Sequence, residues 1–163
     1  MRNRITILIL MLLVVMISFS GCTDSSTTQN SELATVSSIE EIDAMLEKAP
    51  VFIELGRGGG LCPACVQQKP ILEELAAKYE GKVHFVFIDV DKQTQLARQF
   101  NYLYSIPDMT MIATSDNGQF IYVSKTGTLT TDRREAMMVG WTSKNVLDII
   151  IMDALRLRST YTG

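Results

Sequence analysis

Two cysteines separated by two residues constrain this chain more than any other feature of its sequence. Cys62 and Cys65 enclose a Pro-Ala pair and follow a glycine-rich stretch at residues 56–60. Proline is preferred in the first turn of a helix, so the spacing predicts Cys62 as the N-cap and Cys65 about one turn inside, less exposed. Such a pair closes into a disulfide with little backbone movement, and amides at a helix N-terminus favour the thiolate of Cys62. The pattern indicates a redox-active pair with Cys62 as the nucleophile.

Three other interpretations of this pair stay open. Zinc sites use the same spacing, but a structural zinc takes four ligands, and the chain offers only Cys22 and His84 besides the pair. A disulfide that merely closes a loop has the same spacing. In a third interpretation the domain is a metal-binding module, in which the two thiolates bind Cu(I) with help from some of the nine methionines. The favoured interpretation, the redox pair, requires no metal and no cofactor.

The N-terminal segment has the layout of a secretory signal. Arg2 and Arg4 precede an apolar run over residues 5–19, and two small residues follow it. The run is short for a transmembrane helix, which favours a signal peptide over residues 1–21. An uncleaved membrane anchor is the alternative.

A lipid attachment site is predicted directly after this segment. Phe19-Ser20-Gly21-Cys22 resembles the lipobox of prokaryotic lipoproteins, in which the cysteine carries the lipid and becomes the first residue of the mature chain. The resemblance implies lipidation of Cys22. Residues 22–37 are rich in Ser, Thr, Asn and Gln and are predicted to form a flexible linker. Either a lipid or an uncleaved anchor places the following domain outside the cytoplasm, attached to a membrane.

The charge of the chain argues against a nucleic-acid partner. The formal net charge is −3, and removal of the two cations Arg2 and Arg4 with a signal peptide leaves −5. An acidic domain without a basic run has no attraction for the phosphate backbone. We therefore expect protein and membrane partners, and no nucleic acid.

The hydrophobic pattern over residues 38–163 predicts one α/β domain. Helical spacing is found in four segments: residues 38–49, 63–80, 94–100 and 142–155. Strand-like apolar runs are found in five: residues 51–55, 82–90, 109–113, 120–123 and 136–139. The run at 82–90 is apolar on both faces and is expected at the centre of the sheet, whereas residues 125–135 show no clear pattern. This order predicts a central mixed β-sheet flanked by α-helices.

With the elements in this order, residues 50–155 resemble the thioredoxin family. The resemblance lies in five features that occur in register: the strand at 50–55 with Glu54 at the place of a buried acid, the motif Cys62-Pro63-Ala64-Cys65, a kink proline at Pro70, the loop Ile106-Pro107 and the hairpin turn Asn117-Gly118. The family implies a thioredoxin-like fold and a cis peptide bond before Pro107.

The resemblance also implies a role for each site residue. Cys62 attacks the disulfide of a substrate protein, Cys65 resolves the mixed disulfide, and Glu54 accepts the proton that Cys65 loses. The residues expected to contact substrate lie in the motif and in the proline loop: Pro63, Ala64, Ile106 and Pro107.

The sequence departs from the family pattern around the motif. No tryptophan precedes it, and Phe87 stands where the family commonly has a lysine near the buried acid. Asp108 stands where a threonine is common, which predicts a negative charge that disfavours the thiolate of Cys62. The single tryptophan, Trp141, is predicted to be a packing residue, and His84 a structural strand residue.

Together these features predict an extracytoplasmic, membrane-tethered thiol–disulfide oxidoreductase. We expect it to reduce disulfides of exported, cysteine-containing proteins and to exchange electrons with a membrane donor or acceptor. The same fold serves oxidants and isomerases, so these directions remain alternatives, as does the Cu(I)-binding module.

Overall fold

The computed structural model describes residues 33–102 and 105–161. The predicted signal peptide, the lipidation candidate Cys22 and most of the predicted linker lie outside the described residues. Within the described ranges, no helix combines the length and the apolar character that crossing a bilayer requires.

The described chain forms six strands and five helices, which we number in chain order. The helices are α1 (Ile39–Leu46), α2 (Pro63–Lys78), α3 (Thr94–Gln99), α4 (Arg133–Ala136) and α5 (Lys144–Thr160). The strands are β1 (Val51–Gly56), β2 (His84–Asp89), β3 (Asp108–Asp116), β4 (Gln119–Val123), β5 (Leu129–Thr130) and β6 (Met138–Val139).

The strands form one mixed sheet in the order β2-β1-β3-β4-β5, with β6 also paired to β3. β1 runs parallel to β2 and antiparallel to β3, while β4 and β6 run antiparallel to β3. The predicted central mixed sheet is confirmed. β1, which lies between β2 and β3, is buried along its whole length, and it leads directly into the loop that carries the cysteines.

Helices cover both faces of the sheet and create two apolar cores. On one face, alternate residues of β1 pack with α1 and α3 in a core that includes Ile53, Leu55, Ile42, Leu46, Leu96 and Phe100. On the other face, Phe52 packs with α2 and α5 in a core that includes Leu72, Leu75, Met109, Leu147 and Ile151. Because side chains of a strand alternate between faces, Glu54 shares its face with Phe52 and lies under α2.

The prediction that residues 82–90 form a central strand is wrong, because β2 lies at one end of the strand order. Its outer side is occupied by Ala34, which donates its N–H to the Phe85 carbonyl at 2.8 Å and accepts from the Phe87 N–H at 2.9 Å. β2 is apolar on both faces because helices cover both faces of the sheet as far as this outermost strand.

The predicted flexible linker is too long at its C-terminal end. Ala34 bridges to Val86 of β2, and Val36 is only 1% exposed in the core beneath α1. The short apolar residues scattered through this polar stretch are the ones that pack. The packed chain therefore starts before residue 38.

The segment without a clear pattern, residues 125–135, contains β5 and the first residues of α4. β5 extends the sheet by pairing with β4, and the chain then returns through α4 to place β6 against the start of β3. The predicted last strand, residues 136–139, is confirmed for Met138–Val139. This return path brings residues 133–140 next to the proline loop.

Candidate active site

The two motif cysteines form a disulfide at the N-terminus of α2. Cys62 is the N-cap of the helix and Pro63 is its first residue, as the spacing predicts. The Cys65 N–H donates to the Cys62 sulfur, with 3.2 Å between nitrogen and Sγ. When the disulfide is reduced, this amide and the positive end of the helix dipole stabilise a thiolate at Cys62.

The expected difference in exposure between the cysteines is hardly present in the disulfide form. Cys62 is 6% exposed and Cys65 is 5% exposed. The residues around them are more open: Leu61 is 73% exposed, Pro63 is exposed, and Ala64 is half-buried. The disulfide is thus framed by an accessible, largely apolar rim.

The proline loop lies directly across from Cys62. The peptide bond between Ile106 and Pro107 is cis, as the resemblance implies. The Cys62 Sγ lies 3.9 Å from the carbonyl oxygen of Ile106, a residue that is itself half-buried. The structure therefore brings the backbone at Ile106 to the sulfur, while contact of this loop with a substrate stays a prediction.

The acid beneath the motif is buried, as predicted. Glu54 is 1% exposed and lies between Phe87 of β2 and Met109 of β3 in the strand register. Its Oε1 has no hydrogen-bond partner among the described residues. Burial raises the pKa of Glu54 to about 7, and the positive charge of Lys69 opposes that rise. The carboxyl can therefore bind and release a proton near neutral pH.

A cavity of about 260 Å³ lies beside this acid and beside the second cysteine of the motif. Glu54 and Cys65 both line it, together with Phe87, Lys69 and the glycine loop at residues 58–60. A space of this size accommodates water beside a polar group. The arrangement gives Glu54 access to the side of the disulfide that Cys65 occupies.

Asp108 does not present the unpaired negative charge that the sequence predicts near Cys62. Arg133 donates two hydrogen bonds to its carboxylate, from Nη1 at 3.0 Å and from Nη2 at 2.8 Å. The side chains are 4% and 1% exposed for Arg133 and Asp108, respectively. Burial raises the pKa of Asp108, and the two bonds from Arg133 oppose that rise. Arg133 is a site residue that the sequence analysis missed.

Trp141 is 53% exposed, so its prediction as a packing residue is wrong. Its two chain neighbours are tied to the site: the Gly140 N–H donates to the Pro107 carbonyl at 2.8 Å, and the Thr142 N–H donates to Gln68 Oε1 of α2 at 2.8 Å. The backbone on either side of Trp141 is therefore tied to the proline loop and to the helix that carries the cysteines.

His84 takes no part in this arrangement. It lies at the start of β2, in register with Val51, at the end of β1 that is remote from the cysteine loop. Burial lowers its pKa, which keeps the imidazole neutral at neutral pH. Its position agrees with the structural role predicted for it.

A family model described as "Thioredoxin" matches residues 31–137. The thioredoxin-like 3-1, chloroplastic protein of Arabidopsis thaliana is 36% identical over 69 residues, which are 39% of this chain and 32% of that protein. Thioredoxin of Staphylococcus aureus is 42% identical over 48 residues, which are 29% of this chain and 45% of that protein. The chain thus spans less than half the length of either relative.

Solved structures show the same fold at low sequence identity. Mitochondrial thioredoxin 3 of Saccharomyces cerevisiae, in its oxidised form, gives a TM-score of 0.54 at 19% identity and covers 76% of this chain and 97% of that one. Thioredoxin of Trichomonas vaginalis gives a TM-score of 0.53 at 18% identity, with 72% and 94% covered. The predicted architecture is therefore confirmed by comparison as well as by topology.

Proposed function

This chain belongs to the thioredoxin family, and from that premise we propose that it catalyses thiol–disulfide exchange with other proteins through Cys62 and Cys65. The observation that carries the proposal is the disulfide at the N-terminus of α2, with the Ile106 carbonyl 3.9 Å from the Cys62 Sγ. A nucleophilic sulfur beside a half-buried backbone segment with a free edge for pairing is what a substrate cysteine in an extended chain would require.

In the reducing direction the reaction has two exchange steps. The Cys62 thiolate attacks one sulfur of a substrate disulfide, forming a mixed disulfide while the other substrate sulfur leaves as a thiolate. The Cys65 thiolate then attacks the Cys62 sulfur, and the second substrate sulfur leaves. Two electrons pass to the substrate, and the chain ends in the Cys62–Cys65 disulfide that the structure contains.

Glu54 is proposed to accept the proton of Cys65 before the second step. The two residues line one cavity, and the pKa of about 7 that burial gives Glu54 suits proton transfer at neutral pH. Water in the cavity would carry the proton between carboxylate and thiol. The opposite transfer returns the proton when the disulfide is reduced again.

We also propose the location and the direction of this reaction. The charged and apolar pattern of residues 1–21 and the lipobox-like stretch ending at Cys22 support export and attachment to a membrane. A tethered domain of this kind would reduce disulfides of exported proteins and be reduced in turn by a membrane electron donor. The acidic net charge of the chain supports protein partners over nucleic acid.

Trapping of the mixed disulfide tests the exchange reaction. The full-length chain in detergent, reduced and carrying Cys65→Ser, should accumulate a disulfide-linked adduct with insulin, because Cys62 can attack but nothing resolves the product. The matched variant Cys62→Ser should form no adduct. Equal adducts from both variants, or none from either, would contradict the proposal, and stoichiometric Cu(I) binding without any exchange would favour the metal-binding alternative.

A further inference from the structure

A buried ion pair lies behind the proline loop, and the exchange chemistry does not use it. Arg133 and Asp108 are joined by two parallel hydrogen bonds of 3.0 and 2.8 Å, and both side chains are almost completely buried. Burying two charges costs about as much free energy as their attraction returns, so such a pair is weak evidence for stability. What a bidentate pair does supply is fixed geometry.

Asp108 lies directly next to the proline loop, so the ion pair can fix the position of that loop. Asp108 follows Pro107 directly and is the first residue of β3, where it lies in register with Leu55 of β1 and Val139 of β6. A carboxylate that is clamped from behind fixes the backbone at the start of β3. One residue before Pro107, Ile106 presents its carbonyl oxygen to the Cys62 sulfur.

The segment that contains Arg133 also forms a backbone hydrogen bond to the proline loop. Residues 133–140, which we name the bracket, begin with Arg133 and end with Gly140, whose N–H donates to the Pro107 carbonyl at 2.8 Å. Within the bracket, the Met137 N–H donates to the Arg133 carbonyl at 2.9 Å. The bracket therefore bonds to two successive residues, to Pro107 by its backbone and to Asp108 by a side chain.

The Arg133 guanidinium also contacts an aromatic ring besides the carboxylate of Asp108. Its central carbon lies over the Phe100 ring, 5.9 Å from the ring centroid. Its planar fork matches the two carboxylate oxygens, a match that a lysine ammonium cannot reproduce. Both features align Arg133 with Asp108 rather than with solvent.

We propose that Arg133 is a positioning residue for substrate docking: by clamping Asp108 it fixes the Ile106–Pro107 backbone at the place where a substrate chain pairs beside Cys62. The inference rests on the proposed exchange activity. It predicts that loss of the clamp weakens the binding of protein substrates while the intrinsic reactivity of Cys62 is kept. It also predicts that the Gly140 amide, which bonds to the same loop, loses protection.

The test compares three full-length variants with wild type in detergent. Arg133→Met leaves a buried carboxylate unpaired and can prevent folding, so the principal variant is the double change Asp108→Asn with Arg133→Met, which removes both charges together. Arg133→Lys keeps the charge and loses the fork. Arg134→Met is the matched control, since that neighbouring arginine has a side chain that is 79% exposed and pairs with Asp132 rather than with Asp108.

Three quantities are measured on each folded variant. They are the KM and kcat for reduction of insulin disulfides, the rate of Cys62 alkylation by iodoacetamide after reduction, and hydrogen–deuterium exchange at Gly140. In the double variant we expect KM to rise roughly tenfold, as for a misplaced docking group, and Gly140 exchange to rise by at least about that factor. Alkylation should stay within about threefold of wild type, because a small reagent needs no docking loop. Arg133→Lys should fall between wild type and the double variant, and Arg134→Met should match wild type.

Several results would overturn this assignment. Unchanged KM and Gly140 exchange in the double variant would show that the loop needs no clamp. If the alkylation rate falls in proportion to the rate of insulin reduction, the substitutions act on the reactivity of the Cys62 thiol. If KM rises without faster Gly140 exchange, they act on a direct contact with the substrate and not on the loop. If the wild-type chain reduces no insulin, the proposed exchange activity fails, while Gly140 exchange still decides whether Arg133 fixes the loop.

Discussion

Glu54 lies directly opposite Phe87 in the register of the parallel strands β1 and β2. Both side chains lie against Gly56: a Cβ built on this glycine would be 2.7 Å from a Phe87 ring carbon and 3.4 Å from Glu54 Oε1. An apolar ring therefore occupies the space in which a cation could pair with the carboxyl. This explains why burial dominates the pKa of Glu54 and raises it to about 7.

Replacing Phe87 with lysine should lower the pKa of Glu54. An ammonium beside the carboxylate favours its charged form, so we expect the pKa to move from about 7 toward the ordinary value of 4.5. Carboxyl ¹³C NMR titration of the oxidised protein measures it. Phe87→Met is the control, because it changes the shape of the side chain without adding charge. A Glu54 pKa that is the same in both variants would show that the lysine does not reach the acid.

Glu54 should make the protein less stable as the pH rises. Its pKa is raised in the folded state, so the folded chain holds the proton more tightly than the unfolded chain. Stability is then lost from about pH 4.5 up to about pH 7 and is level above that. A shift of this size corresponds to roughly 3 kcal/mol.

The variant Glu54→Gln tests this pH dependence. It cannot ionise, so it should be more stable than wild type at pH 8 by up to roughly 3 kcal/mol, and much closer to wild type at pH 4.5. Urea unfolding of the oxidised proteins at the two pH values gives both free energies of unfolding. The same difference between the proteins at both pH values would mean that Glu54 does not titrate in this range.

Trp141 should contribute to substrate binding rather than to stability. The residue is 53% exposed, and its two chain neighbours bond to the proline loop and to α2. We expect Trp141→Ala to raise the KM for insulin by about tenfold, the loss typical of an aromatic contact residue, with kcat nearly unchanged. Met152→Ala, on the exposed face of α5 and 52% exposed, serves as the control and should leave KM unaltered. A lower melting temperature with unchanged KM would assign Trp141 to packing after all.

The proposed export and membrane attachment predict a lipid on Cys22. Cleavage before this residue removes residues 1–21, and an acylated thiol cannot compete with the redox pair for disulfides. Intact mass spectrometry of the membrane-extracted protein measures both changes at once. An unmodified Cys22 on an uncleaved chain would instead support the membrane-anchor alternative.

Local sequence patterns were enough to identify the cysteine pair. Cys62 and Cys65 are recognised by their spacing beside Pro63, whereas Glu54 was expected to be a buried acid only because its strand resembles the one in the thioredoxin family. These signals are local because the loop and helix that arrange the sulfurs are formed by adjacent residues. The chemistry at the centre of the site was predictable for that reason.

The surroundings of the site depend on contacts between distant parts of the chain. The pairing of Arg133 with Asp108 joins a segment without hydrophobic periodicity to the start of a strand 25 residues earlier, and no local pattern reports such a contact. The exposed position of Trp141 likewise follows from bonds that its neighbours make to other elements. The position of β2 within the sheet was predicted wrongly because apolar residues on both faces of a strand indicate that helices cover both faces. They do not indicate whether a strand lies on each side of it.

The reduction potential of the Cys62–Cys65 pair tests the central claim most directly. The full-length chain in detergent is equilibrated against defined ratios of reduced and oxidised dithiothreitol or glutathione, and the fraction of disulfide is read by alkylation and mass. A reductant of exported proteins should give a value near about −270 mV, as thioredoxin does. A value near about −120 mV, that of a strong oxidant, would contradict the proposed direction and assign the chain to disulfide formation.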